Sequence, residues 1–306
     1  MTQTELIRIL RRHGLRPGYR LGQHFLASEV VLDRIVAACG VAPGDSVLEV
    51  GAGVGTLTDR LCLAGARVTV VELDRSLGPA LREVLAAGHR SEGYALGEPG
   101  MGELWPRGVH LIWGDAVRLP WGQLAASTSG TWRVCSNLPY YLTGPFLASF
   151  LQGALPWTTA VFLVQREAAE RMVAQPRTKA YGSFTCLVGY YAEVEVLFDV
   201  PRELFLPPPR VDSVVVRLQP RSLSPVSVPG GALFRVVRAA FAQRRKTLRN
   251  SLSSGLGVAA GEIVGTFEAI GWDASARAEE LGLGEFGRLT EALLERGLVS
   301  WPGGGG

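Results

Sequence analysis

From Gly44 to Leu218 the chain alternates short Val- and Leu-rich runs with longer segments of helical periodicity. Few architectures satisfy that rhythm, because parallel strands need crossovers long enough to hold a helix and each crossover covers a face of the sheet. Strands are expected at 47–51, 68–72, 109–113, 132–136, 160–165, 193–198 and 213–218, seven in all, with the last two as an antiparallel edge. Between those two, Val200 to Pro209 carries Pro201 and the triplet Pro207-Pro208-Pro209, which cannot donate ladder hydrogen bonds. This segment is expected to be an exposed, stiff connection suited to presenting a side chain.

Residues 88–108 are glycine-rich and aperiodic, the pattern of an inserted loop, and 219–232 have the composition of a linker. Beyond the linker, Phe234, Val237, Phe241, Leu248 and Leu252 recur at helical spacing, and further helices are expected at 258–270, 275–281 and 285–297. The expected organisation is therefore a catalytic domain over 1–220 with a basic amino-terminal arm, a helical domain over 221–302, and a disordered glycine tail over 303–306. A length of 306 residues suits one large domain plus a small one.

Charge is unevenly distributed although it sums to only +3. Residues 1–20 hold Arg8, Arg11, Arg12, Arg16 and Arg20 against Glu5 alone, and 234–252 hold Arg235, Arg238, Arg244, Arg245, Lys246 and Arg249 with no acid. Such patches fit a polyanion, since each neutralised phosphate releases counterions; a solvated helix face is the other explanation for either patch alone. The apolar runs are too short to cross a bilayer, and the amino terminus lacks the pattern of a secretory signal, so a cytoplasmic protein is expected. Cys39, Cys62, Cys135 and Cys186 are far apart and form no CxxC pair, which favours buried reduced thiols over disulfides or a metal site.

The chemistry begins at Glu49-Val50-Gly51-Ala52-Gly53-Val54-Gly55, a glycine-rich turn between an expected strand and helix, where a ligand can approach the backbone. Glu72 ends the next strand, where a carboxylate can accept from ribose hydroxyls. Dinucleotide folds usually show GxGxxG with the pyrophosphate on a helix amino terminus, whereas this turn reads GxGxG. S-adenosylmethionine has no phosphate, and a third acid, Asp115, placed to accept from an adenine amino group, favours it as the cofactor. For each acid alone, a helix cap or a surface position explains the residue equally well.

The fourth strand ends in Asn137-Leu138-Pro139-Tyr140, at the edge where open α/β sheets place ligands. An exocyclic amine such as adenine N6 is a poor nucleophile, because its lone pair is delocalised into the ring. Two acceptors on its N–H groups, Asn137 Oδ1 and the Leu138 carbonyl, would turn that lone pair toward a methyl donor. Pro139 stiffens the turn, and Tyr140 offers a ring on which the base can stack. A base inside a duplex must be flipped out to reach such a pocket, and Phe205 is the candidate for the second face of the stack.

These residues, together with Leu21-Gly22-Gln23-His24-Phe25-Leu26, Val71-Glu72-Leu73-Asp74 and Gly114-Asp115-Ala116, resemble in order and spacing the ribosomal RNA adenine N6-dimethyltransferases. The likeness continues through Val164 to Glu167, Lys179 to Gly182, Phe205 to Ser213 and Gln243 to Asn250, and so spans about residues 15–295. The last two segments look like the KsgA branch, which dimethylates two adjacent adenosines in the 3′-terminal hairpin of small-subunit RNA. The macrolide-resistance branch, acting on large-subunit RNA, is the nearer alternative.

The resemblance implies an α/β, Rossmann-like class I methyltransferase fold, with a seven-stranded, mostly parallel sheet and a small C-terminal α-helical domain. It implies S-adenosylmethionine contacts at His24, Leu26, Gly51, Glu72, Asp115 and Asn137, with Gly53 and Gly55 completing the turn. Tyr140 and Phe205 become a base-stacking pair, and Arg244, Arg245, Lys246 and Arg249 an RNA-binding surface. The implied partner is small-subunit rRNA in a pre-ribosomal particle, bound by a monomer in the cytoplasm, with no membrane and no metal. An RNA-binding assembly factor with secondary methylation, a small-molecule methyltransferase and an oxidoreductase are the competing classes.

Overall fold

Ser46–Val50 is buried at all five positions, as expected of a strand covered on both faces, and it forms the middle of the protein's large sheet. The computed structural model describes residues 1–15, 23–87, 102–127, 130–243, 245–273 and 275–300. Arg16, Arg20, Leu21, Gly22, residues 88–101 of the expected insertion, Arg244 and the 303–306 tail lie outside the described residues.

In chain order the strands are β1 Phe25–Leu26, β2 Ser46–Val50, β3 Arg67–Glu72, β4 Glu103–Leu104, β5 His110–Trp113, β6 Trp132–Asn137, β7 Trp157–Gln165, β8 Ala192–Val200, β9 Phe205–Leu206 and β10 Ser213–Pro220. Eight form one sheet in the order β4-β5-β3-β2-β6-β7-β10-β8. The pairs β2/β3, β3/β5, β2/β6 and β6/β7 are parallel; β10 is antiparallel to β7, and β4 to β5. All seven expected strands are present. The eighth, β4, comes from the segment expected to be a loop; it is two exposed residues long and carries no alternation by which sequence could reveal it.

The chain runs from β2 outward to β3 and β5, then returns to β6 on the other side of β2. The crevice at the carboxyl ends of β2 and β6 is therefore the switch point at which such sheets hold ligands. A second, two-stranded ribbon pairs β1 with β9, Phe25 opposite Leu206 and Leu26 opposite Phe205. The proline-rich segment is thus not simply an exposed connection. Its Phe205 and Leu206 find ladder partners in Leu26 and Phe25, and the Ala27 amide donates to the Leu204 carbonyl at 2.8 Å.

The amino-terminal arm begins as the helix Gln3–Arg12, started by a reciprocal Thr2/Glu5 capping box. Leu6 and Leu10 pack with Phe25, Val54, Leu77 and Ala80, while Arg8, Arg11 and Arg12 face outward. Arg12 is paired with Glu83.

The chain divides into two compact units, residues 1–169 with 194–220, and residues 170–193 with 221 onward. The second unit thereby includes the helix Ser183–Tyr191, which the sequence pattern groups with the first. Its other α-helices among the described residues are Gly230–Phe241, Leu248–Leu256, Ala260–Ala269 and Leu283–Glu295, and the helix expected over 275–281 is only a short 3-10 turn at Ala278–Glu280. The single basic helix expected over 234–252 is two helices. The first ends at Ala242, and Thr247 starts the second, with a Lys246 amide to Gln243 carbonyl turn of 3.0 Å between them. Residues 242–246 offer no large apolar side chain to bury, and helical spacing would set the cations Arg245 and Arg249 one turn apart. The exposed Arg245 and Lys246 therefore sit on a turn, with Arg249 on the following helix.

Phe205 is 0% exposed and belongs to the first unit's main core, with Leu26, Val200 and Val215. Phe205→Ala is expected to lower the unfolding free energy by roughly 3–5 kcal/mol, the cost of truncating a fully buried aromatic. Urea unfolding followed by tryptophan fluorescence checks this; a midpoint equal to wild type would contradict the packing.

Candidate functional site

The turn after β2 takes its shape from its glycines. Gly51 and Gly55 adopt φ values of 72° and 88°, in the left-handed region that side chains resist. A Cβ at Gly51 would stand 3.0 Å from Pro139 Cδ, and one at Gly55 2.6 Å from Leu81 Cδ1. The first glycine lets the β2 turn approach the β6 turn; the last starts the helix Thr56–Leu63 against its neighbour. Between them the Gly53 amide donates to Glu72 Oε2 at 3.0 Å. Glu72 Oε1 accepts from the Leu73 and Asp74 amides at 2.8 and 2.9 Å, so the carboxylate that ends β3 also holds the glycine turn in place. Of roughly four acceptor directions on a carboxylate, about one remains, on Oε2, for a hydroxyl of a ligand.

Asn137 ends β6, and its Nδ2 donates to the His24 carbonyl at 3.3 Å. A carbonyl can only accept, so this bond fixes which way the amide points and leaves Oδ1 as an acceptor. The Leu138 amide donates to the Leu163 carbonyl of β7 at 3.1 Å, and the Leu142 amide closes the turn on the Pro139 carbonyl at 2.8 Å. Tyr140 shares a 2.8 Å hydroxyl hydrogen bond with the fully buried Ser213 of β10. Its ring stacks on His24, with centroids 5.3 Å apart and planes at 27°. His24 is itself held by Nδ1 donating to the Pro207 carbonyl at 2.8 Å, and Gln23 by a 2.7 Å bond to Asp74.

These groups line an open cleft at the carboxyl ends of β2, β3 and β6. His24, Leu26, Gly51, Gly53, Glu72, Asn137, Leu138, Pro139 and Tyr140 all border it, as the sequence leads one to expect. Asp115 lines an adjoining hollow that shares Gly51, Glu72 and Pro139 with the cleft. It also caps the short turn Ala116–Arg118 by accepting from the Val117 amide at 3.0 Å, so the cap and a place in the lining of the hollow coexist. Gly55 does not border the cleft; it shapes the turn. Phe205 is not brought to it either. The ring is sealed in the core behind β1, and the aromatic partner of Tyr140 in this structure is His24.

Two cleft residues were legible in the motifs but not assigned there. Tyr141 is 52% exposed, beside Glu72 and Asp115; its position next to Tyr140 was the only signal. Glu49, the acid that opens the glycine turn, is 1% exposed and borders the cleft with Oε2 buried and unpartnered. Thr58 eases its charge, although no hydrogen bond of good geometry joins them. Burial, with Glu72 adding repulsion, lifts the Glu49 carboxyl from 4.5 to about 8. Burial also raises Glu72, opposed by its three backbone donors and reinforced by Asp74, while Asp74 itself is held low by Ser76 and Gln23 against its own burial.

The sign of the Glu49 shift sets a stability trend. The folded protein keeps this proton where an unfolded chain has lost it, so the contribution is fully present below 4.5 and is lost as pH rises through about 8. Glu49→Gln should therefore lose less thermal stability than wild type between about pH 6 and about pH 9. Thermal melts of the two proteins check this, and parallel declines would show that Glu49 does not titrate in that range.

The sequence matches the ribosomal RNA adenine dimethylase family over residues 16–270. It is 40% identical over 299 residues to "Ribosomal RNA small subunit methyltransferase A" of Pelotomaculum thermopropionicum, covering 94% of this chain and 95% of that one. The protein of the same name from Moorella thermoacetica is 37% identical over 95% of this chain and 98% of its own. The fold is similar to that of a dimethyladenosine transferase from Plasmodium falciparum, with a TM-score of 0.72, 23% identity and coverage of 91% of this chain and 100% of that one. It is also similar to that of the 23S rRNA methyltransferase ErmE, with a TM-score of 0.58, 24% identity and coverage of 88% and 99%. The architecture is thus the Rossmann-like class I methyltransferase fold that uses S-adenosylmethionine, with eight strands rather than the expected seven. By sequence over most of its length, the chain belongs to the ribosomal RNA adenine dimethylase family.

Proposed function

We propose that this protein dimethylates N6 of two adjacent adenosines in the 3′-terminal hairpin of small-subunit rRNA, acting as a cytoplasmic monomer on a pre-ribosomal particle. The names carried by its relatives support the small-subunit target. The single observation that carries the chemistry is the fixed amide of Asn137, whose Nδ2 is bound by the His24 carbonyl while Oδ1 is left to accept. Among the described residues no hydrogen bond to the Leu138 carbonyl is found. The two oxygens form a paired acceptor for the two N–H groups of an adenine amine.

The residues fit the cofactor: a glycine turn that a Cβ would fill, acceptors at the end of β3 and just after β5, and an orphaned buried carboxylate oxygen on β2. Bound there, S-adenosylmethionine supplies a methyl group on a sulfonium leaving group. Glu72 and Asp115 would hold its nucleoside, with Leu26 and His24 closing the opposite side. Asn137 and the Leu138 carbonyl draw the amine's protons aside and direct its lone pair, while Tyr140 offers a ring anchored through Ser213. The work is positioning and electrostatics rather than strong-base catalysis. After one transfer a single N–H remains, so Asn137 and Leu138 cannot both be satisfied, and the base must rotate before the second. The exposed Arg245, Lys246 and Arg249, with Arg244, provide cations for the RNA backbone.

Asn137→Ala is expected to slow methyl transfer roughly 10²–10³-fold, the usual cost of losing one preorganised polar group, with RNA affinity retained. Mass spectrometry of N6,N6-dimethyladenosine in pre-small-subunit particles, beside an RNA-binding assay, tests it, and wild-type turnover would refute the assignment. Tyr140→Phe loses the Ser213 anchor and should raise the ratio of mono- to dimethylated product; an unchanged ratio at lower rate would confine Tyr140 to binding. Replacing Arg245, Lys246 and Arg249 with Gln should weaken RNA binding and reduce its log–log salt slope by about 1 for each phosphate no longer neutralised. A slope equal to wild type would show that these cations do not touch the backbone.

A further inference from the structure

Glu49 occupies the fourth of the five positions of β2, where every residue is buried, yet it opens onto the cleft beside Leu26, Gly51 and Asn137. A buried carboxylate that is ionised needs a cation or several donors. Glu49 has neither: Oε2 is without a partner, and the groups facing it are Glu72 from β3, Thr58 and Cys62 from the helix Thr56–Leu63, and Cys135 from β6. The nearest guanidinium, that of Arg107, acts on Cys62 and is paired with Asp59 at 2.8 Å. Every other acid of the cleft is already engaged, Glu72 by three amides and Asp74 by Gln23 and Ser76.

We propose that Glu49 is the residue that answers the cofactor's positive charge: protonated in the protein alone, it releases its proton to solvent when the methionine end of S-adenosylmethionine enters, and its carboxylate then faces that charge. This rests on the reading of the cleft as the cofactor site. With Glu72 and Asp115 on the nucleoside and the methyl delivered at Asn137, the methionine portion falls to the rest of the cleft, whose lining includes Glu49. That portion brings a sulfonium and an ammonium against a single carboxylate, a net positive charge entering a place with no other unpartnered anion among the described residues of the cleft. The direction of the Glu49 titration agrees, since burial keeps the group neutral at pH 7. Cofactor binding is thereby linked to pH: it tightens as pH rises toward about 8, by at most about tenfold per unit, and levels off above.

Calorimetric titration of S-adenosylmethionine into the full chain near pH 7, in buffers of different ionisation enthalpy, counts the protons released. Wild type should release close to one proton per cofactor and Glu49→Gln none, with an affinity that no longer changes with pH. Equal buffer dependence in the two proteins, or none in wild type, overturns the proposal. Absence of any binding heat would instead overturn the reading of the cleft. Should Glu49→Gln fail to fold, infrared difference spectra of wild type decide: loss of a protonated-carboxyl band on cofactor addition supports the proposal, and an unchanged band refutes it.

Discussion

The acceptor pair at the end of β6 exists because the Asn137 amide has one orientation, and it has one orientation because a carbonyl from residue 24 meets its Nδ2. That carbonyl stays in place through the two-residue ribbon, in which Phe25 and Leu26 pair with Leu206 and Phe205, and through the His24 ring bonded to the Pro207 carbonyl. Short ribbons are weak alone; this one is secured by burying Phe205, Leu26 and Phe25 in the core. A residue that looked like an exposed aromatic of the site thus supports it from behind.

The glycine-turn side of the cleft is held in the same way, by groups that serve twice. Glu72 ties the glycine turn to the end of β3, Asp74 ties Gln23 to the same end, and Gly51 permits Pro139 to close on the turn. A change at any of these positions moves acceptors contributed by several strands. Glu72 and Asp74 are engaged in building the cleft, which leaves Glu49 as the acid of its lining with a buried, unpartnered oxygen among the described residues.

Much of this was legible because it is local. Strand positions follow from runs such as Val47 to Val50 and Val68 to Val71, and the glycine turn, Glu72, Asp115 and the Asn137 to Tyr140 tetrad announce themselves by type and spacing. Where local signals were absent or misleading, expectation and structure part. β4 has two exposed residues and no pattern. The 234–252 segment keeps its apolar period through a break that only the adjoining cations betray. Phe205 precedes a proline triplet that suggested display, whereas packing buried it.

Sequence by itself determined the fold class, the cofactor, the family and most residues of the cleft, since strand order, turn geometry and the chemistry of an amine acceptor are written in short stretches of the chain. Tertiary structure decided three things. It oriented Asn137 through a residue 113 positions away, stacked His24 on Tyr140, and buried both Phe205 and Glu49. Each depends on which distant segments come together and on how much solvent they exclude, and burial, unlike spacing, is a property of the folded whole.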